Sequence, residues 1–271
     1  MLKNRNENIS YLPLQPGFEI NKDYYIRVEK DLINKNIMIF YQFKMDSSSA
    51  NNSILVVPDG CVDIIFSYNP RNIFANCCGT VLQSKKIIFK SDYEYFGVRY
   101  LAEQGIFLMK DLIESEIPLL DLITGDRYIV EKIANARSFA ERVDLFNIFM
   151  AASTSEFALV PKLVKYSIER IYQAKGNINM DQLAMESGYS VRYLRKKFED
   201  IIGMPPKFFS EIVRFQNSLS MIIKKDEYSL WDVISETGYY DQAHFINQFK
   251  KFSTLTPVKF KETFAKNTNI Y

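Results

Sequence analysis

The chain has 271 residues, of which 47% are hydrophobic and 14% aromatic, enough to bury more than one core. Its formal charge of +2 divides unevenly: residues 1–155 carry a net −2 and residues 156–271 a net +4, so a surface for a polyanion belongs to the second half. No run of about eighteen apolar residues occurs, and none follows the opening MLKNRNENIS, which excludes a membrane-spanning helix and predicts a soluble, cytoplasmic protein.

The three cysteines, Cys61, Cys77 and Cys78, are odd in number and two are adjacent, so they read as buried thiols rather than as a disulfide framework. With His244 as the single histidine they lack metal-ligand spacing. The chain also has no Gly-rich phosphate loop, no HExxH and no second histidine to activate a Ser or Cys. We therefore expect no enzyme, no metal and no cofactor.

From about residue 20 to 101 short runs rich in Ile, Val, Phe and Tyr alternate with Asn, Ser, Asp and Gly clusters: YYIRVEK, NIMIFYQF, SILVVP, CVDIIFSY, NIFANCC, KKIIFK and YFGVRYL. They predict a small barrel or sandwich. The PDGC turn at 58–61 is expected to join two of these strands as a hairpin connection would. Asp63 and Arg99 stand in otherwise apolar strands. They either hold a polar group of a ligand, pair with each other, or point outward.

Beyond residue 101 the period becomes helical, over 103–114, 126–136, 138–152 and 160–175, with breaks at Pro118 and Gly125. Phe139, Val143, Phe146 and Phe149 form a stripe that serves either the core or a dimer contact. STSEF at 153–157 is the expected linker between a first domain, 1–153, and a second, 158–266.

The second domain is built on a duplication. ESGYSVRYLRKKF at 186–198 and ETGYYDQAHFINQF at 236–249 each run from an acidic residue through a hydroxyl residue, Gly and Tyr into an amphipathic segment. Their apolar residues stand four apart, Leu194 with Phe198 and Phe245 with Phe249. Gly188 and Gly238 suit the tight turn of a helix-turn-helix. Before them lie MDQLAMES and SLWDVISET, capped by Asn179 and Ser229; after them Pro206 and Pro257 open new helices. The units span about 179–202 and about 229–252, joined by a long helix at about 206–224 that covers roughly 27 Å. That length is comparable to the ~34 Å between successive major-groove faces.

Residues 160–266 resemble the DNA-binding domain of the AraC/XylS family of bacterial transcription regulators. GYYDQAHFINQF, VVPDGCVDIIF and FGVRYLAEQGIFLM resemble a subset with an uncharacterised, sensor-like N-terminal domain. The resemblance implies an α+β chain: a β-rich barrel or cupin-like N-terminal domain with trailing helices, then an all-α domain with two helix-turn-helix units. It also implies promoter DNA and RNA polymerase as partners, a small effector bound by the first domain, and a homodimer. The alternative is a first domain that serves protein interaction or dimerisation without a small ligand. Thr254 stands where the family usually has Gly, which predicts a looser end to the last reading helix.

The first reading helix offers Arg192, Arg195 and Lys196, with arginine suited to guanine and lysine to phosphate. The second offers Gln242, His244 and Asn247 in what we take as the equivalent places, with Lys250 and Lys251 behind them for phosphates. Tyr189, Tyr239 and Trp231 are expected in the core.

Overall fold

The computed structural model describes residues 10–30, 37–45, 52–105, 107, 109–153, 160–224 and 229–264. Among the described residues, eight strands lie in the first half: β1 (Lys22–Lys30), β2 (Ile37–Lys44), β3 (Ser53–Val56), β4 (Cys61–Tyr68), β5 (Ile73–Cys78), β6 (Lys85–Ile88), β7 (Glu94–Leu101) and β8 (Glu116–Pro118). All but β8 coincide with the apolar runs of the sequence. Six of them form one antiparallel sheet in the order β1-β2-β7-β4-β5-β8, and β3 pairs with β6 in a two-stranded ribbon.

That pairing corrects the reading of the PDGC turn. β3 joins β6 whereas β4 joins β5 and β7, so the turn carries the chain from the ribbon to the sheet and closes no hairpin. The stretch 103–114 is also not one helix. It forms two short 3-10 turns, Ala102–Gln104 and Met109–Asp111, because Gly105 (φ 62°) and Glu114 (φ 54°) take left-handed conformations that stop helical propagation.

Strand alternation gives the six-stranded sheet two aromatic faces. Phe40, Phe66 and Phe96 face helix α4 (Phe139–Ser153), whose Phe146 stands edge-on to Phe40 and to Phe66 at 6.0 Å each. The Val143, Phe146 and Phe149 stripe is therefore buried against the sheet. Tyr41, Phe43 and Tyr95 fill the other face together with Phe89 and with Phe18 of the short α1 (Pro16–Glu19). Gly97 lies opposite Tyr41 on the neighbouring strand, and a Cβ there would come within 2.0 Å of the tyrosine ring. Two further helices, α2 (Leu119–Leu122) and α3 (Ile129–Asn135), complete this half. Cys61 and Cys77 are buried and Cys78 half-buried, all three as free thiols.

Asp63 and Arg99 are cross-strand partners in register, and of the readings left open for them the structure shows the pair. Arg99 Nε donates to Asp63 Oδ1 at 2.9 Å and its terminal nitrogen to Oδ2 at 3.0 Å, while Asp59 Oδ2 lies 3.4 Å away. Asp59 also accepts from Gln15 Nε2 at 2.8 Å and from the Cys61 amide at 3.0 Å. Burial pushes Asp63 up to about 6 against the pull of Arg99. Burial would lower Arg99, but Asp63 and Asp59 outweigh it and hold the guanidinium above its ordinary range.

The second half is all-helical: α5 (Lys162–Gln173), α6 (Met180–Ser187), α7 (Val191–Ile202), α8 (Pro206–Lys224), α9 (Leu230–Thr237), α10 (Gln242–Ser253) and α11 (Pro257–Phe264). The expected linker at 153–157 lies, apart from buried Ser153, outside the described residues. The two halves share one apolar core. Tyr11 stacks on Tyr172 of α5 with ring centroids 4.4 Å apart, and Phe209 of α8 packs beneath Gly60 of the PDGC turn. Gln216 of α8 bridges the halves, accepting from the Leu14 amide at 2.9 Å and donating to the Pro58 carbonyl at 2.7 Å.

Candidate nucleic-acid interface

Local chemistry builds each unit the same way. Asn179 caps α6, its side chain accepting from the Asp181 and Gln182 amides; Gly188 (φ 74°) ends the helix, and Ser190 starts α7 by accepting from the Tyr193 amide. In the second unit Ser229 and Asp232 cap α9 reciprocally, Gly238 (φ 70°) makes the turn, and Asp241 starts α10 by accepting from the His244 amide at 2.7 Å. Leu194, Phe198 and Ile202 anchor α7, as Phe245, Phe249 and Ser253 anchor α10. The opposite faces stay open.

The second turn is one residue longer, with Tyr239 and Tyr240 before its cap where the first unit has only Tyr189 before Ser190. The structural counterparts of Arg192, Arg195 and Lys196 are therefore Ala243, Ile246 and Asn247. Gln242 and His244 correspond to Val191 and Tyr193. Of the three residues placed by sequence in the second helix, Asn247 alone keeps its expected equivalence.

At about 100° per residue, the direction opposite the buried stripe of α7 falls between Lys196 and Tyr193, with Arg192 about 60° and Arg195 about 120° from it. Arg192, Arg195 and Lys196 are all exposed, and Arg195 Nε bonds Glu199 Oε1 at 2.8 Å. On α10 the same direction falls between Asn247 and His244. Asn247 and Gln242 are exposed, whereas His244 is half-buried, its Nδ1 accepting from the Tyr240 amide at 3.4 Å and its ring edge-on to Tyr239. Lys250 is exposed, and Lys251 Nζ bonds Glu211 Oε2 at 3.0 Å. Arg195 and Lys251 meet across a cleft of about 460 Å³ between the units, lined also by Val191, Lys207 and Phe208. Tyr193 and Lys207 are outside the contact set read from sequence; the helical wheel alone points to Tyr193.

Two expectations for the aromatic residues fail. Tyr189 is 49% exposed and Trp231 69% exposed. Tyr239 is buried as expected, because Arg214 of α8 lies over its ring at 4.5 Å. Tyr189 stacks instead on Tyr193. Trp231 occupies the first turn of α9, and the buried face of that helix is formed by Val233, Ile234 and Thr237, to which position 231 does not contribute.

Thr254 corrects the expected loose end of α10. It adopts φ 62° despite its β-branch, so the helix closes as tightly as after Gly203 (φ 79°). The first domain supports this end: the Ser84 amide donates to the Phe252 carbonyl at 2.9 Å, and the Ser84 and Thr254 hydroxyls are 3.3 Å apart. Thr254→Gly should relieve the strain at the loss of that weak contact. A net gain of about 0.5–1 kcal/mol is expected in thermal unfolding, and an unchanged or lower melting temperature would place the hydroxyl contact above the strain.

The second half matches a family model described as a helix-turn-helix domain over residues 183–263. A probable transcription factor from Proteus vulgaris is 32% identical over 97 residues, 35% of this chain and 77% of that protein. An uncharacterised HTH-type regulator from Haemophilus influenzae is 31% identical over 108 residues, 40% of this chain and 36% of that protein. The F1 operon positive regulatory protein of Yersinia pestis is 28% identical over 102 residues, 38% of this chain and 33% of that protein. The chain thus spans little more than a third of the length of the Haemophilus relative. Among the described residues no helix is long and apolar enough to cross a membrane. With two glycine-hinged units on one connecting helix and these matches over them, the chain belongs to the AraC/XylS family of DNA-binding transcription regulators.

Proposed function

We propose that the chain is a sequence-specific activator that reads two adjacent major grooves, Arg192, Arg195 and Lys196 in one, and Gln242, His244 and Asn247 in the other. Lys250 and Lys251 hold phosphates. The observation that carries this reading is the pair of solvent-facing polar faces on α7 and α10, both held on α8, α7 by Phe198 against Phe209 and α10 by Phe249 against Phe215 and Phe252 against Phe208. The activating role draws on the Yersinia relative, whose name describes positive regulation. Recruitment of RNA polymerase at the promoter is the corresponding mechanism.

The first domain, over 1–153, acts on the second, over 158–266, through the contacts between them. Gln216 ties α8 to the PDGC turn, and Ser84 ties the end of α10 to the loop before β6. A binding event in the first domain would reach both reading helices by this route, whether the ligand is a small effector or another protein. Support for a protein or a second copy comes from the packing: both faces of the six-stranded sheet are filled by stacked and edge-on rings.

Selection from random duplexes by the full chain tests the DNA reading. Two enriched blocks about one helical turn apart are expected. A single block, or none, would refute it. Thermal unfolding with a panel of small molecules separates the two roles of the first domain, because a true effector raises the melting temperature by mass action.

A further inference from the structure

The duplication places an aromatic residue at the same point of both reading helices, Tyr193 in α7 and His244 in α10, each resting on the tyrosine that follows the turn glycine. The two pairs then differ. In the second unit Arg214 covers Tyr239, and the half-buried His244 ring is bonded to the Tyr240 amide, so that pair offers no open ring face. In the first unit the rings of Tyr189 and Tyr193 stack 5.1 Å apart at 16°, and they are 49% and 43% exposed. Lys197 lies over the Tyr193 ring at 5.8 Å.

Two phenols locked together at the surface have lost rotamer freedom before any partner arrives, which lowers the cost of binding one. Their position says what the partner is. Tyr193 is the third residue of α7 and shares with Lys196 the direction opposite the buried stripe, and N-terminal residues of a reading helix are those that meet base edges. An apolar surface there has one specific counterpart in the major groove, the C5 methyl of thymine. The second helix carries an imidazole at the corresponding place, half-buried and polar, and offers no such surface.

We propose that the stacked Tyr189–Tyr193 pair reads a thymine methyl in the groove entered by α7, beside the bases taken by Arg192 and Lys196. The assignment rests on the DNA reading given above. It makes the first unit select for thymine through ring contact, whereas the second unit selects through amide hydrogen bonds.

The test uses the full chain and the duplex that it selects, with each thymine of the first block replaced in turn by uracil, which removes the methyl alone. One replacement should weaken binding about three- to fivefold, the effect of one buried methyl. Tyr193→Ala should bind with a similar loss and be indifferent to that replacement, whereas Tyr193→Phe, which keeps the ring, should respond as the original chain does. Both variants change an exposed residue, and unchanged melting temperatures would confirm intact folds. Uracil tolerated at every position, or an equal penalty in Tyr193→Ala, would overturn the proposal while leaving the DNA reading standing. Unchanged DNA affinity of Tyr193→Ala together with lost transcriptional activation would move the pair to a contact with the polymerase. Failure of the original chain to enrich any sequence would remove the DNA reading, and this assignment with it.

Discussion

Arg99→Met is expected to destabilise the protein by about 3–5 kcal/mol at pH 8, because it leaves the buried Asp59 and the half-buried Asp63 carboxylates without their shared cation. The loss should shrink on acidification. In the intact protein Asp63 already titrates near 6, above the usual carboxylate range, so the folded state binds the proton more readily than the unfolded chain. Stability from this group therefore falls as pH rises from about 4 through 6. Removing Arg99 takes away the charge that pulls this value down and moves the window upward. The variant should consequently recover part of its stability near pH 5, where the carboxyl is neutral. Denaturant titrations at the two pH values check this, and Arg99→Met with Asp63→Leu should lose less than Arg99→Met alone. An equal loss at both pH values would mean that packing of the long side chain, including its position 5.4 Å from the Tyr41 ring, decides the effect.

Phe209→Ala should cost about 3–5 kcal/mol, the range for emptying a fully buried aromatic site. The ring is the point where three parts meet: Phe198 of the first reading helix at 5.6 Å, Tyr172 of α5 at 5.9 Å, and Gly60 of the first domain. Its removal should loosen the junction together with the helical core. Equilibrium unfolding in urea measures the loss, and a change below about 1 kcal/mol would show that neighbouring side chains close the space.

What could be read from the sequence was set by chemistry close along the chain. Caps at Asn179 and Ser229, turns at Gly188 and Gly238, and helix starts at Pro206 and Pro257 all depend on residues within one or two turns of each other, and they stand where the spacing put them. The strand runs were legible for the same reason. Partner choice was not. The PDGC turn looks like a hairpin locally, but β3 and β4 enter different sheets, and that pairing involves β6 and β7 some 30 residues on. Asp63 and Arg99 are 36 residues apart, so their bidentate pair depends on register between strands rather than on any local signal.

The exposed rings failed for a different reason. Tyr189 and Tyr239 each follow a turn glycine, but Tyr239 is packed under Arg214 of α8 and against Phe245, whereas Tyr189 stacks on the exposed Tyr193. The extra residue at Tyr240 shifts the second helix by one position against the first. Aligning the copies on their glycines therefore misplaces Gln242 and His244, whereas aligning them on the caps Ser190 and Asp241 places them correctly.

The claim on which the functional account stands is that α7 and α10 enter neighbouring grooves from one side of the duplex. Hydroxyl-radical footprinting of the full chain on its selected site tests it directly. Two protected stretches about 10 base pairs apart on one face are expected, with Arg192→Ala removing one and Asn247→Ala the other. A single continuous protection that weakens uniformly in both variants would contradict it.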